Sequence, residues 1–308
     1  MRKLLYFLRV NENLAVGVGS SYAMMLDITS SNFNKLYLYY SNEVNQTVNQ
    51  TGKHVLNFMT VRSMRQIKKE VIKVYTRLLE KCNDLSYPQA NHILNNFIFP
   101  LGELLLDFEN SMPETKEQEF VTLFTAVLEK LNAVIETEFL AKLIEMIFQS
   151  SLPLITSDFN SFPEIRASFF GFLKALVKFN FATLFNLDGK FFNTVLDCVI
   201  WSLRHELNTY SDLGLELLEE ILLNVNKNSV ISNLFYSRYH MRILTDILDV
   251  MTDGFHKSGL EAQTKIFFII IHVTTQGVVS VPLLRSTTRS PPTSRRDKPT
   301  HSSSTSSW

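Results

Sequence analysis

Helix-forming segments in this chain come in pairs, and the pairs recur. Apolar residues return at three- and four-residue intervals in one segment after another. The leading segment of each pair begins near residues 62, 116, 163, 209 and 258, a repeat of roughly 46 to 54 residues, slightly longer than the about 40–47 of HEAT-type hairpins. A hairpin of this kind buries about ten large side chains, worth ~1.5–3 kcal/mol each. Ordering its roughly forty residues costs ~1–2 kcal/mol per residue. One pair does not stand alone, whereas pairs stacked in order bury both sides of every helix. No segment shows strand-like alternation. The expected fold is all-α: a HEAT-repeat α-solenoid of stacked antiparallel helix pairs, with a disordered C-terminal tail.

Within that frame the chain divides into three. Residues 1–60 read as the N-terminal helices of a partial repeat plus a loop. Leu14, Val18, Tyr22, Met25, Leu26, Phe33, Leu36, Tyr37 and Tyr40 fall in one or two helices, with Ser30-Ser31 as the break and Asn45 to Gly52 as the loop. Residues 61–276 hold the repeats. Arg62 to Lys81 is amphipathic, with Met64, Ile67, Val71, Val74, Tyr75 and Leu78 as its apolar stripe. Arg62, Arg65, Lys69 and Lys73 line the opposite face at three- and four-residue spacing. That face reads either as a solvated surface or as a docking stripe for an acidic partner. Pro88 opens a helix reaching about Asn110, which Pro100 kinks by removing a hydrogen bond. After the loop Ser111 to Glu114, helices start near Lys116 and at Glu136 to Glu138. Pro163 and Glu164 suit a first helical turn, since proline has no N–H to waste and the acid faces the positive dipole end. Ile165, Phe169, Phe172, Leu173 and Leu176 form the next stripe. After a break at Asn180 to Lys190 come Phe192, Val195, Leu196, Val199, Ile200 and Leu203. Phe169 and Trp201 are both expected in the core. Helices over Thr209 to Asn226, Ser229 to Met251 and Ser258 to His272 complete the array. Residues 277–308 are rich in Ser, Arg and Pro and read as disordered, with Ser290, Thr293 and Ser294 as candidate phosphorylation sites.

Composition excludes several functions. Thirty basic and thirty acidic residues cancel, so no global charge draws the chain to nucleic acid or to an anionic membrane. The apolar runs Leu4 to Leu8 and Ile266 to Ile271 are far shorter than the ~20 residues of a membrane span, and the first, interrupted by Arg9, is too short for a secretory signal. The glycosylation sequons at Asn45 and Asn49 then carry no weight. Cys82 and Cys198 sit in apolar-periodic surroundings and read as buried reduced thiols. Gly17-Val18-Gly19 lacks the third glycine of a dinucleotide loop, and Gly52-Lys53 lacks the earlier glycine of a P-loop. Seven histidines are scattered with no metal-ligand spacing. His205, a turn from Trp201, reads as a packed edge residue, and Glu216 with Glu220 as an ordinary surface pair. No catalytic, cofactor or metal site is expected.

One stretch carries a family likeness. Asp158-Phe159, Phe162-Pro163-Glu164, Arg166 and Phe169-Phe170, followed by Leu196-Asp197, Val199-Ile200-Trp201 and His205, resemble the C-terminal region of the exportin-1 family of nuclear export receptors, in the importin-beta/karyopherin class. Val61 to Arg65 with Lys68 to Glu70, Leu105 to Phe108, Pro113, Leu131, Met251 to Asp253, His256 and Ser258 to Leu260 align in kind, so the likeness spans roughly Val61 to His272 and, with fewer matching residues, the helix from Leu14 to Tyr40. The resemblance implies a HEAT solenoid that binds Ran in its GTP state with export cargo or accessory proteins, meets nuclear pore proteins, and shuttles between nucleus and cytoplasm. In that family the cargo groove lies in central repeats and the main Ran-binding repeats lie near the N-terminus; neither is expected in this stretch. After His272 the family's last repeat and closing helix are replaced by the Ser/Arg tail. Two other readings stay open: a HEAT scaffold without Ran dependence, and a truncated gene product that does not act alone.

Overall fold

The computed structural model describes residues 1–157, 161–187 and 189–275. The tail expected over 277–308, with Ser290, Thr293 and Ser294, lies outside the described residues, as do Asp158 and Phe159. The helices are α1 (Arg2–Val18), α2 (Ala23–Thr51), α3 (Met59–Lys81), α4 (Tyr87–Ile93), α5 (Gly102–Asn110), α6 (Glu119–Lys130), α7 (Thr137–Ser157), α8 (Pro163–Phe179), α9 (Phe181–Asn186), α10 (Gly189–Leu203), α11 (Asn208–Asn226), α12 (Ser229–Thr252) and α13 (Leu260–Thr275). Among the described residues there is no strand.

They form two layers. Helices α1, α3, α6, α8, α11 and α13 pack in succession as one layer, and their partners α2, α5, α7, α10 and α12 make the other. Helix α2 lies on α3, α7 on α8, α10 on α11, and α12 on α13. The segments expected near 62, 116, 163, 209 and 258 are the helices of one layer, but α3, α8, α11 and α13 each pack on the helix before them and so close their pairs rather than lead them; the array is a HEAT-like solenoid. One continuous core runs from Leu8 to Val273. Cys82 and Cys198 are free, buried thiols within it.

Local chemistry explains most boundaries. Ser86 and Gln89 close a capping box ahead of α4. Asn228 caps α12 by accepting from the Val230 and Ile231 amides. Pro163 opens α8, and the residue before it, Phe162, takes a left-handed backbone (φ 55°, ψ 44°). Pro100 does more than kink a helix: the chain widens into a π turn over Leu94–Ile98, tightens into a 3-10 turn over Phe99–Leu101, and only then resumes as α5.

Several expectations need correction. Helix α2 runs through Ser30-Ser31 without a break and continues to Thr51, so Asn45 to Gly52 is not a loop. Val44 and Val48, one turn apart, bury against Val55 and Val61, and that packing outweighs the polar residues around them. The break lies at Gly19 instead (φ 59°). The gap between α8 and α10 holds α9, whose Phe181 and Leu184 are buried. Helix α6 starts at Glu119 rather than near Lys116, after a 3-10 turn at Pro113–Thr115. Residues 137–156 of α7 are long and apolar enough to cross a bilayer by length and composition, yet half of that stretch is buried inside the array. Trp201 is not a core residue: it is 41 % exposed, while Phe169 is fully buried.

The tightest helix crossing joins α10 to α11. Ser202 Oγ donates to the Tyr210 carbonyl and Ser211 Oγ to the Leu203 carbonyl. At Gly214 a Cβ would lie 2.3 Å from the Leu203 amide nitrogen. Alanine there would gain about 0.5–1 kcal/mol of helix preference but must push backbone apart, at about 1–3 kcal/mol. Gly214→Ala is therefore expected to lower the urea midpoint by the equivalent of about 1–2 kcal/mol, read by circular dichroism; an unchanged or raised midpoint would show that the crossing relaxes freely.

Candidate partner-docking site

Half of the basic stripe of α3 is already engaged within the chain. Arg65 Nε lies 2.7 Å from Glu117 Oε1, and Lys69 Nζ lies 3.1 Å from Glu117 Oε2 and 3.8 Å from Glu119. Glu117 is almost wholly buried. Burial opposes the Lys69 charge, but Glu117 and Glu119 outweigh it and raise its pKa; Glu119 itself is pushed up by burial. For Arg65 and Lys69 the acidic partner is thus in the same chain, just ahead of and within α6. Arg62 remains exposed, its guanidinium on the Asn57 side-chain oxygen at 3.3 Å. Lys73 is half-buried.

Similar pairs join successive helices along this layer. Arg9 meets Glu70 and Arg77 meets Glu12 between α1 and α3. Lys174 meets Glu216 between α8 and α11, and Lys265 meets Glu219 between α11 and α13. Each exposed pair is worth only ~0–1 kcal/mol.

Beneath the stripe lies a polar cluster that sequence reasoning missed. Lys68 is 1 % exposed. Its Nζ donates to Ser41 Oγ at 2.8 Å, sits 3.7 Å from Asp107 Oδ2, and lies 4.8 Å from the Tyr37 ring centre. Ser41 Oγ in turn lies 2.7 and 2.8 Å from the two Asp107 oxygens. Burial pulls the Lys68 pKa below its ordinary value, against the opposing pull of Asp107 and Glu117. The signal was present: Lys68 stands one and two turns before Val71 and Tyr75, on the apolar stripe rather than among the exposed bases.

The motif residues of the second half come together around α8. Phe170 stacks on Trp201 with ring centres 6.1 Å apart and planes 14° from parallel. Tyr210 lies 6.0 Å from Phe170, and His205 lies 5.1 Å from Trp201 and 5.2 Å from Tyr210. The buried Arg166 guanidinium sits 5.9 Å from the Tyr210 ring centre and donates to the Ser161 carbonyl. Phe169 points the other way, onto Phe148 at 5.3 Å. Phe162 is half-buried and Glu164 exposed, so Phe162, Pro163 and Glu164 shape the start of α8 rather than the cluster.

Trp201 and Phe170 also wall an open groove. With Leu152, Ile155, Thr156, Thr194, Asp197 and Cys198 they line a cavity of about 310 Å³. It continues past Leu152, Thr156 and Thr194 into one of about 770 Å³ between α7 and α10. Burial pushes the Cys198 thiol at its wall up to about 12. Among the described residues no three His, Cys, Asp or Glu gather as a metal would require.

A profile of the family described as CRM1 C terminal matches residues 26–298. The chain belongs to the CRM1 C-terminal family. Its curated relatives include exportin-1 of Dictyostelium discoideum, 31 % identical over 283 residues, which cover 92 % of this chain and 26 % of the relative. Protein EXPORTIN 1A of Arabidopsis thaliana is 29 % identical over 94 % of this chain and 26 % of its own length. Exportin-1 of Schizosaccharomyces pombe is 27 % identical over 90 % and 25 %. The chain therefore spans about a quarter of the length of these relatives. The CRM1 C-terminal match is wider at both ends than the span from Val61 to His272 that carries the motif likeness.

Within this CRM1 C-terminal chain, the buried His240 and the half-buried His205 set an acid limit. Neither ring nitrogen of His240 has a hydrogen-bond partner among the described residues, and burial lowers its pKa. Burial, helped by Arg166, lowers that of His205. The unfolded chain takes up these protons near pH 6.5, the folded chain only at lower pH. Stability is thus full above about pH 6.5 and falls as pH drops below it. Urea midpoints at pH 7.5 and 5.5 are expected to differ more in the wild type than in His240→Leu; equal differences would remove His240 from the acid limb.

Proposed function

We propose that this chain serves in nuclear protein export as a nuclear export signal receptor component. In this reading it contributes a HEAT-like array to a complex of Ran-GTP with cargo or accessory proteins, and shuttles between nucleus and cytoplasm past nuclear pore proteins. The observation that carries this reading is the family match across residues 26–298, supported by 27–31 % identity to exportin-1 proteins over some nine-tenths of the chain. The geometry suits binding rather than catalysis: two layers of helices present long faces, with Arg62 and Lys73 on one and the groove between α7 and α10 on the other.

The test is a pull-down on the immobilised chain with Ran locked in its GTP or GDP form, with and without an export-signal peptide. Enrichment of the GTP form supports the receptor reading. Recovery of nuclear proteins independent of nucleotide favours the second reading, a HEAT scaffold without Ran dependence.

A further inference from the structure

We propose that α1 pairs with the α1 of a second copy of this chain, the two running antiparallel, each seated in the notch between the other's α1 and α2. The notch follows from how the pairs close. In the layer that α1 heads, α3, α8, α11 and α13 are each covered on one flank by the helix before them. Helix α1 has no such cover among the described residues. It rests on α3, as α2 does, and it reaches α2 through Phe7 and Phe33, whose ring centres are 6.4 Å apart. The uncovered flank is apolar, with Phe7, Val10 and Leu14 all exposed. Their three- and four-residue spacing is that of a coiled-coil seam. Lys3 and Gly17 extend the same seam by one step at its two ends.

The charge and shape of this seam fit it to its own copy. Helix α1 carries Arg2 and Lys3 in its first turn and no basic residue in its last, the reverse of what its dipole favours. Turned end for end, Lys3 of one copy lies beside the last turn of the other, at the negative end of that dipole. Gly17 sits there, and nothing lies within 4 Å of where its Cβ would stand. Packing within one copy therefore does not call for glycine, and the missing side chain leaves room for the lysine stem. Between these ends Phe7 of each copy meets Leu14 of the other, and Val10 meets Val10 across a two-fold axis, an isologous contact. Tyr6, Val18 and Met25, also exposed, widen the patch. It then offers roughly 600 Å² per copy and about 1,200 Å² per pair, the lower end of the range for a specific interface.

Sedimentation velocity on the full chain, at concentrations up to about 100 µM to populate an interface of this modest size, tests the pairing. The expected result is a monomer–dimer equilibrium. Leu14→Glu sets a carboxylate in the seam and is expected to weaken the dimer about tenfold or more. Gly17→Leu, which nothing in one copy opposes, closes the room for Lys3 and is expected to weaken it about fivefold or more, while the thermal melt of the helices holds or rises. Oxidation reads the direction. Val10→Cys, on the two-fold axis, is expected to form an intermolecular disulfide, whereas Val18→Cys, roughly 24 Å from its counterpart at 1.5 Å per residue, is not. The native Cys82 and Cys198 are buried and stay out of this reaction. A monomer at every concentration would overturn the proposal and leave the flank to a helix of another polypeptide. So would a dimer that Leu14→Glu and Gly17→Leu leave unchanged while circular dichroism shows folded chains, or faster crosslinking of Val18→Cys than of Val10→Cys. No readout involves Ran or cargo, so the result is independent of the transport reading.

Discussion

Phe169→Ala is expected to destabilise the array by about 3–5 kcal/mol, the cost of truncating a buried aromatic and leaving its cavity unfilled. Phe169 is fully buried on α8, edge-on to Phe148 of α7 and beside Phe170. No other side chain can collapse into the space without drawing α7 and α8 together. Trp201→Ala is expected to cost less, about 1–2 kcal/mol, because 41 % of that residue already faces water, although its ring contacts with Phe170, His205 and Tyr210 are lost. Urea titration of both variants, followed by helical circular dichroism, gives the ranking. Equal losses would mean that Trp201 is covered in solution by something outside the described residues.

Asp107→Ala is expected to cost about 3–5 kcal/mol, the range found when one partner of a buried ion pair is removed. The loss comes less from the missing attraction than from the charge left behind. Lys68 keeps its ammonium 1 % exposed, with Ser41 Oγ, the Tyr37 face and the field of Glu117 left to balance it. Adding Lys68→Met to Asp107→Ala is expected to restore most of the stability, because the orphaned charge goes with it. A double variant no more stable than Asp107→Ala would place the cost in cavity formation instead.

The repeat was legible because stacking leaves a signature that each helix carries by itself. The stripe of Ile165, Phe169, Phe172 and Leu173 states which side of α8 is covered, and that side is covered. Trp201 shows where this fails. It directly follows Val199 and Ile200 of the α10 stripe and stands a turn after Cys198, at the stripe's edge, but its burial depends on how closely neighbouring helices approach, which no pattern within α10 reports. Ser30-Ser31 and Asn45 to Gly52 failed for a related reason. Polar residues weaken a helix locally by tenths of a kcal/mol each, while the packing of Val44 and Val48 against Val55 and Val61 supplies more. The docking stripe was half legible. Its four bases stand out in the sequence, but the counter-charges of Arg65 and Lys69, Glu117 and Glu119, lie some fifty residues away, and a single sequence does not say which distant acids return. Lys68 stood on the wrong side of its own helix in plain view.

That lysine has a practical meaning for anyone cutting the chain into shorter pieces. Its ammonium is held from two directions at once, by the Ser41 hydroxyl on α2 and the Asp107 carboxylate on α5, while α3 leans on Glu117 just before α6. Boundaries drawn between these helices would strand a cation in a dry interior, so residues 23–130 should be expressed together. A boundary just after α8 leaves that cluster whole and, among the described residues, cuts instead the Lys174–Glu216 pair, the Asn224–Val177 bond and the contacts of Phe170 and Arg166 with Trp201 and Tyr210.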